Sequence, residues 1–155
     1  PKPQSLAVPA STLMMAAMRG MHVSVLRPEG FELPDVIMDR ARQAAVIAGG
    51  AVSETDDRAE ALEGAHIVYA KSWSSTVHYG MLEEEEDARR NAREWCVDDR
   101  WFEPAHEACR FMHCLPARRG VEVLDEVLDG PRSVVIQQAR NRMLTQMALL
   151  HRMLG

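Results

Sequence analysis

The sequence predicts an α/β fold in which helices cover both faces of a five-stranded, mainly parallel sheet. Five short runs, several of them rich in valine and isoleucine, have the length of buried strands. Helical patterns lie between them, and this alternation favours parallel pairing with right-handed crossovers. We therefore expect a three-layer sandwich of the Rossmann or flavodoxin-like kind. The five predicted strands are residues 22–26, 51–55, 66–71, 110–114 and 133–137.

The helices are predicted from apolar spacing and from the residues that start and stop them. Pro34 and Asp35 open the second helical segment, and Gly49 follows it, as is typical of helix ends. Gly64 closes the third segment in the same way. The six predicted helices are residues 6–19, 34–48, 57–63, 99–107, 121–128 and 139–154.

A long polar excursion, residues 72–94, interrupts the alternation. It contains four consecutive glutamates, 83–86, which we interpret as the solvated face of a helix. A connection of this length is unusual in a compact domain, and such segments often serve as lids or binding loops.

Composition excludes several classes of protein. With 155 residues the chain is long enough for one domain with a core, and a net charge of −5 argues against nucleic-acid binding. No apolar run is long enough to cross a membrane. Three cysteines without paired spacing favour a reducing cytoplasm and do not predict a metal site. The glycine-rich phosphate motifs are absent, so no nucleotide cofactor is expected.

Chemistry-bearing residues collect where the predicted strands end. In open α/β sheets, ligands bind outside the carboxyl ends of the strands. Cations, hydroxyls and a thiol occur there, and together they suit a small anion such as a carboxylate or phosphate. These residues are Lys71, Ser72 and Trp73 after the third strand, His113, Cys114, Leu115, Pro116 and Arg118 after the fourth, and Asn141 and Arg142 after the fifth.

Each of these residues also has an ordinary structural interpretation. Lys71 could be a surface lysine at a strand end, and Trp73 could belong to the core. Cys114 could be a small buried apolar residue, the commoner role of a lone cysteine. Arg142 could pair with an acidic residue on a neighbouring helix. From the residues alone, the prediction is an anion-binding α/β domain.

The stretch FMHCLPARRG, residues 111–120, resembles the H-C-L-P signature of the transcarbamylase family, the ornithine carbamoyltransferases in particular. The similarity continues through EVLDEVLDGPRSVVIQQARNRMLTQMALL, which looks like the family's closing helix-strand-helix. HIVYAKSW, PEGFEL and the opening PKPQSLAVPAS resemble the branch that acts on N-acetyl- and N-succinylornithine.

The resemblance implies that residues 1–155 are the amino-acid-binding half of a longer enzyme. Family members also have an N-terminal domain whose S-T-R-T loop grips carbamoyl phosphate, and nothing similar occurs here. The whole enzyme would transfer a carbamoyl group from carbamoyl phosphate to the δ-amine of ornithine or an N-acylornithine, in arginine biosynthesis. It would be a cytoplasmic homotrimer without a cofactor, and its partners would be small molecules.

The resemblance also assigns roles. Cys114 would contact the amine end of the amino acid, the Leu115 carbonyl would accept from the carbamoyl NH2, and Arg142 would reach the carbamoyl-phosphate side. The Leu115–Pro116 bond would be cis. Lys71, Ser72, Trp73, His113, Pro116 and Arg118 would bind substrate.

Three departures from the family pattern bear on the substrate. Lys71 stands where ordinary ornithine enzymes have Asp, and Arg118 stands where they usually have His. Glu122 occupies a position at which some N-acetylornithine enzymes carry a carboxylated lysine, so no lysine carboxylation is expected there. Two alternatives stay open: an ornithine or other carbamoyltransferase of unassigned substrate, and a non-catalytic module that binds a small carboxylate.

Overall fold

Helices alternate with parallel strands along the chain, so the predicted α/β class is confirmed. The structure is a computed structural model that describes residues 4–155; the first three residues of the opening segment lie outside this range. In chain order its elements are α1 (Ala7–Met18), β1 (His22–Leu26), α2 (Asp35–Ala48), β2 (Ala51–Thr55), α3 (Arg58–Leu62), β3 (Ile67–Ala70), α4 (Leu82–Asn91), two 3-10 turns (Arg93–Trp95 and Asp99–Phe102), β4 (Arg110–His113), α5 (Asp125–Leu128) and α6 (Val135–Leu154).

The chain forms two compact units. Among the described residues, the first consists of residues 4–63 and Lys71–Trp95, and the second of Gly64–Ala70 and Cys96–Gly155. Each unit contains a two-stranded parallel sheet: β1 pairs with β2, and β3 pairs with β4. The prediction of one five-stranded sheet is therefore wrong for the described residues, although the parallel pairing is confirmed.

In the first unit, α1 and α2 pack on each other and on the β1–β2 pair. Their buried contacts are mostly small or apolar: Leu13, Ala17, Leu33, Met38, Ala41 and Ala45. Gly49 ends α2 in the left-handed conformation with φ 80°, which glycine adopts without a steric cost. A side chain at Gly50 would lie 2.4 Å from the carbonyl oxygen of Met21, so the turn after α2 requires a glycine there.

In the second unit, β3 and β4 pair in parallel from Ile67 with Arg110 to Ala70 with His113. Phe111 is fully buried and meets Phe102 edge to face, with ring centroids 6.5 Å apart. This apolar centre fixes β4, and so it fixes the point at which the loop after His113 begins.

The predicted fifth strand, residues 133–137, is wrong. Ser133 forms only an isolated bridge with Phe111, and α6 begins two residues later at Val135. The helix-favouring residues that follow, Gln137 to Arg140, extend the helix backward over the β-branched run, because a helix can absorb a few valines and isoleucines at modest cost. The backbone N–H of His113, which points away from β3, donates instead to the side-chain oxygen of Gln138 at 3.1 Å.

The last helix is longer than predicted and largely exposed. It covers 20 residues, and several of its large apolar side chains face solvent, Ile136, Met143, Met147, Leu150 and Leu154 among them. Within residues 4–155, no helix combines the length and apolarity needed to cross a membrane.

Candidate functional site

The loop after β4 has an unusual backbone at Leu115. Its φ is 51°, the only positive φ of a non-glycine residue between residues 4 and 155, and the Leu115–Pro116 peptide bond is cis as predicted. A left-handed conformation costs a residue with a side chain about 1–2 kcal/mol. The Leu115 N–H donates to Nδ1 of His113 at 2.9 Å, which holds the turn in place. Such locally held outliers concentrate at functional sites.

His113 is a buried support for this loop. Its side chain is 0% exposed, and because Nδ1 accepts the Leu115 N–H, the proton of the neutral ring must be on Nε2. Nε2 points to the carboxylate of Glu122, 3.5 Å from Oε2. The imidazole thus connects the Leu115 turn to an acidic residue that the sequence places seven positions further on.

Arg118 and Glu122 close the loop on its other side. The Glu122 carboxylate accepts from the Arg118 backbone N–H at 2.8 Å and from its Nη2 at 3.1 Å, while the Glu122 N–H donates back to the Arg118 carbonyl at 2.9 Å. The Glu122 side chain is 7% exposed, but that of Arg118 is 47% exposed. The guanidinium is therefore bonded to Glu122 through Nη2 and remains partly exposed to solvent.

Arg119, the neighbour of Arg118, is engaged in a separate surface network. Its guanidinium bonds Asp125 at 2.5 Å and Asp129 at 2.6 and 2.9 Å. These bonds hold the pKa of Asp129 below its ordinary value and raise the pKa of Arg119. The two adjacent arginines therefore belong to different networks: Arg119 is shared between two surface carboxylates, whereas Arg118 bonds the buried carboxylate of Glu122.

The three cysteines are free thiols in different surroundings. Cys109 is buried and Cys114, the first residue after β4, is half-buried. Burial raises the pKa of Cys109, and burial together with the nearby carboxylates of Asp98 and Glu122 raises the pKa of Cys96. Among the residues described, no cluster of histidine, cysteine and acidic side chains could hold a metal ion.

The residues predicted after β3 belong to the first unit. Lys71 and Ser72 are half-buried. The Trp73 indole N–H donates to the Phe31 carbonyl at 2.9 Å, and the Trp73 carbonyl accepts from Arg89. Trp73 also packs against the core, so the structural interpretation of this residue is supported.

The predicted position of Arg142 needs correction. It was expected at the start of the last helix, but α6 begins at Val135 and places Arg142 seven residues further on, roughly 10 Å along the axis. Its side chain is exposed there. Any role for Arg142 therefore rests on its guanidinium and not on a helix N-terminus.

Two supporting residues were missed by the sequence reasoning. Glu122 was noted only for its family position, although its spacing of four from Arg118 is a recognisable ion-pair signal. Gln138 bonds both the His113 N–H and the Tyr69 hydroxyl, at 3.1 and 3.0 Å. No local pattern could have revealed Gln138, because its partners are 25 and 69 residues away.

Comparison with known proteins identifies the family of the chain. A family profile described as the Asp/Orn binding domain of aspartate/ornithine carbamoyltransferases matches residues 6–153. The chain is 36% identical over 140 residues to an ornithine carbamoyltransferase of Wolinella succinogenes, covering 90% of the chain and 45% of that relative. It is 36% identical over 156 residues to an N-acetylornithine carbamoyltransferase of Xanthomonas campestris, covering 100% of the chain and 46% of that relative.

A solved structure of a similar protein has the same fold. Acetylornithine transcarbamylase complexed with acetylcitrulline aligns with a TM-score of 0.90 at 35% identity, over 96% of this chain and 45% of that one. An α/β domain with a His-Cys-Leu-Pro loop at a strand end is thus the class that the fold and site define. The chain belongs to the aspartate/ornithine carbamoyltransferase family and spans about half the length of the curated relatives it matches.

Proposed function

We propose that this chain is the amino-acid-binding half of a carbamoyltransferase. The whole protein would transfer the carbamoyl group of carbamoyl phosphate to the δ-amine of an N-acylornithine or of ornithine, in arginine biosynthesis in the cytoplasm. The observation that carries the proposal is the loop from His113 to Arg118, where a cis proline, a half-buried thiol and an accessible guanidinium follow one strand. The remaining half of the protein would hold carbamoyl phosphate.

The reaction needs positioning and charge stabilisation more than covalent chemistry. In this proposal the Leu115 carbonyl accepts from the carbamoyl NH2, Cys114 contacts the amine end of the substrate, and Arg142 neutralises charge on the phosphate side. Pro116 shapes the turn. His113 serves by holding Leu115, because its ring is buried and both nitrogens face other residues of the protein.

Lys71 and Arg118 support an Nα-acylated substrate over free ornithine. Acylation removes the α-ammonium, so the carboxylate becomes the only charge at that end of the amino acid. Two cations suit this substrate, whereas the Asp of ordinary ornithine enzymes suits an ammonium. One charge-assisted hydrogen bond is worth about 1.5–3 kcal/mol, which corresponds to roughly ten- to over a hundredfold in preference. Ser72, the neighbour of Lys71, would also bind the substrate, whereas Trp73 would support this segment through its hydrogen bond to the Phe31 carbonyl.

The test is citrulline-type product formation by the full-length protein. We expect a higher kcat/KM for N-acetyl- or N-succinylornithine than for ornithine, and Lys71→Asp should weaken acylornithine use more than carbamoyl-phosphate use. A preference for free ornithine in the unmodified enzyme would refute the acylornithine assignment.

An ornithine carbamoyltransferase is the second candidate. It is favoured by relatives of that name, such as the Wolinella protein at 36% identity. The isolated 155-residue chain is expected to be inactive in either case, and the full-length enzyme to be a homotrimer. If the full-length protein bound the amino acid without turnover, a non-catalytic binding module would be the correct assignment.

A further inference from the structure

Glu122 contacts both ends of the loop from His113 to Arg118. Its carboxylate faces the Arg118 backbone N–H, the Arg118 guanidinium and His113 Nε2, at 2.8, 3.1 and 3.5 Å. The side chain is 7% exposed, and a carboxyl group buried to this extent requires hydrogen-bond partners. A buried carboxylate shared by two groups of one loop calls for an explanation beyond surface charge pairing.

The backbone of Glu122 is fixed from outside the loop. Its carbonyl accepts from the Val97 N–H at 3.0 Å, and Val123, the next residue, bridges Val97 in parallel. Val97 and Val123 are 3% and 0% exposed. The backbone of Glu122 therefore belongs to a buried part of the second unit. Arg118 and His113 contact the Glu122 carboxylate from the loop.

The two carboxylate oxygens have different tasks. Oε2 accepts the Arg118 backbone N–H and faces His113 Nε2, and these contacts fix the path of the loop. Oε1 accepts from Arg118 Nη2 and fixes the direction of the guanidinium. The His113 Nε2–H is a buried donor without a hydrogen bond among residues 4–155, so its electrostatic contact with Oε2 is what orients the proton.

We propose that Glu122 is a positioning residue that presents the Arg118 guanidinium to the substrate carboxylate and fixes the Nε2–H tautomer of His113. The role toward substrate rests on the proposed function; the role toward Arg118 and His113 does not. Because the loop is held before substrate arrives, less conformational freedom is lost on binding.

Glu122→Gln separates the two tasks. With its amide oxygen at the Oε2 position, glutamine still accepts from the Arg118 N–H and faces His113, but its NH2 group then opposes the Arg118 guanidinium donor to donor. Glu122→Ala removes both contacts. Asp125→Asn is the matched control, because Asp125 pairs with the adjacent Arg119 and its side chain is 71% exposed.

The first experiment uses side-chain nitrogen NMR on the 155-residue chain. We expect the Nε2–H tautomer of His113 in the unmodified chain and in Glu122→Gln, and a mixed tautomer in Glu122→Ala. The Arg118 guanidinium signals should lose protection from solvent exchange in both Glu122 variants and keep it in Asp125→Asn. Unchanged Arg118 signals in Glu122→Gln, or an equal loss in Asp125→Asn, would overturn the proposal.

The second experiment uses the full-length enzyme. Glu122→Gln should raise KM for the amino-acid substrate about tenfold, the effect of one charge-assisted hydrogen bond, with kcat changed by less than about twofold. If the NMR results hold and KM is unchanged, the substrate contact of Arg118 is refuted while the positioning role stands. If the NMR results fail, the positioning role is refuted whatever the kinetics show.

Discussion

Arg89 should anchor the long polar excursion, and its replacement tests that role. Its guanidinium bonds Glu85 at 2.8 and 3.0 Å, bonds the Trp73 carbonyl, and lies 5.4 Å from the centre of the Phe31 ring. Glu85 is buried, which corrects the expectation that all four consecutive glutamates face solvent; the other three do. Arg89→Met would leave the Glu85 charge buried without this partner.

The expected cost is about 3 kcal/mol. Removing one member of a buried ion pair costs about 3–5 kcal/mol, and the lower end applies because the Arg89 side chain is 27% exposed while that of Glu85 is 10% exposed. For a chain of this size, about 3 kcal/mol lowers Tm by roughly 6–12 °C. Arg90→Met is the matched control, since Arg90 pairs with acidic residues at 59% exposure and should cost about 0.5 kcal/mol.

The measurement is thermal unfolding of the three proteins, followed by far-UV circular dichroism and by tryptophan fluorescence, to which Trp73 contributes. Glu85→Met introduced into the Arg89→Met variant should recover at least half of the lost stability, because no unpaired buried charge remains. Equal shifts for the Arg89 and Arg90 variants would refute the anchoring role, and so would a double variant less stable than Arg89→Met.

Two further predictions concern the second unit. Gln138→Met leaves the buried His113 N–H unbonded and should cost about 1–3 kcal/mol in urea unfolding, whereas Gln138→Glu retains an acceptor and should cost less; equal losses would contradict this account. Asp129 has a pKa lowered by Arg119, so its contribution to stability is present above the ordinary aspartate pKa of about 3.9 and is lost as pH falls through the folded value. Asp129→Asn should therefore differ from the parent at pH 7 and converge with it in acid, and a difference that does not depend on pH would refute the linkage.

Local signals predicted most elements, and long-range partners decided the rest. The strands at residues 22–26 and 51–55 were predicted with their observed bounds. The predicted strand at residues 133–137 was wrong, because a run of β-branched residues followed by helix formers is compatible with a strand and with a helix. The division into two two-stranded sheets depends on pairing between distant segments, and no window of the sequence contains that information.

The candidate site shows the same division between local and distant information. The residues of the loop could be identified from one contiguous motif, including the cis bond at Pro116. The contact between His113 and Glu122 could not, because it depends on the fold of the intervening turn and on the anchoring of Val97. The sequence therefore identified the residues of the loop itself more readily than the residues that hold the loop in place.

The outer side of β4 is closed without a neighbouring strand. Arg110 donates its N–H toward the β3 side, to His66, so Phe111 and His113 direct theirs away from it. The Arg132 carbonyl accepts the first of these and the Gln138 side chain the second. An unpaired strand edge is a template for another chain to add to the sheet. Here the Arg132 carbonyl and the side-chain amide of Gln138 already accept from both outward-pointing N–H groups. Because Gln138 belongs to α6, strand addition at β4 would first have to displace that helix.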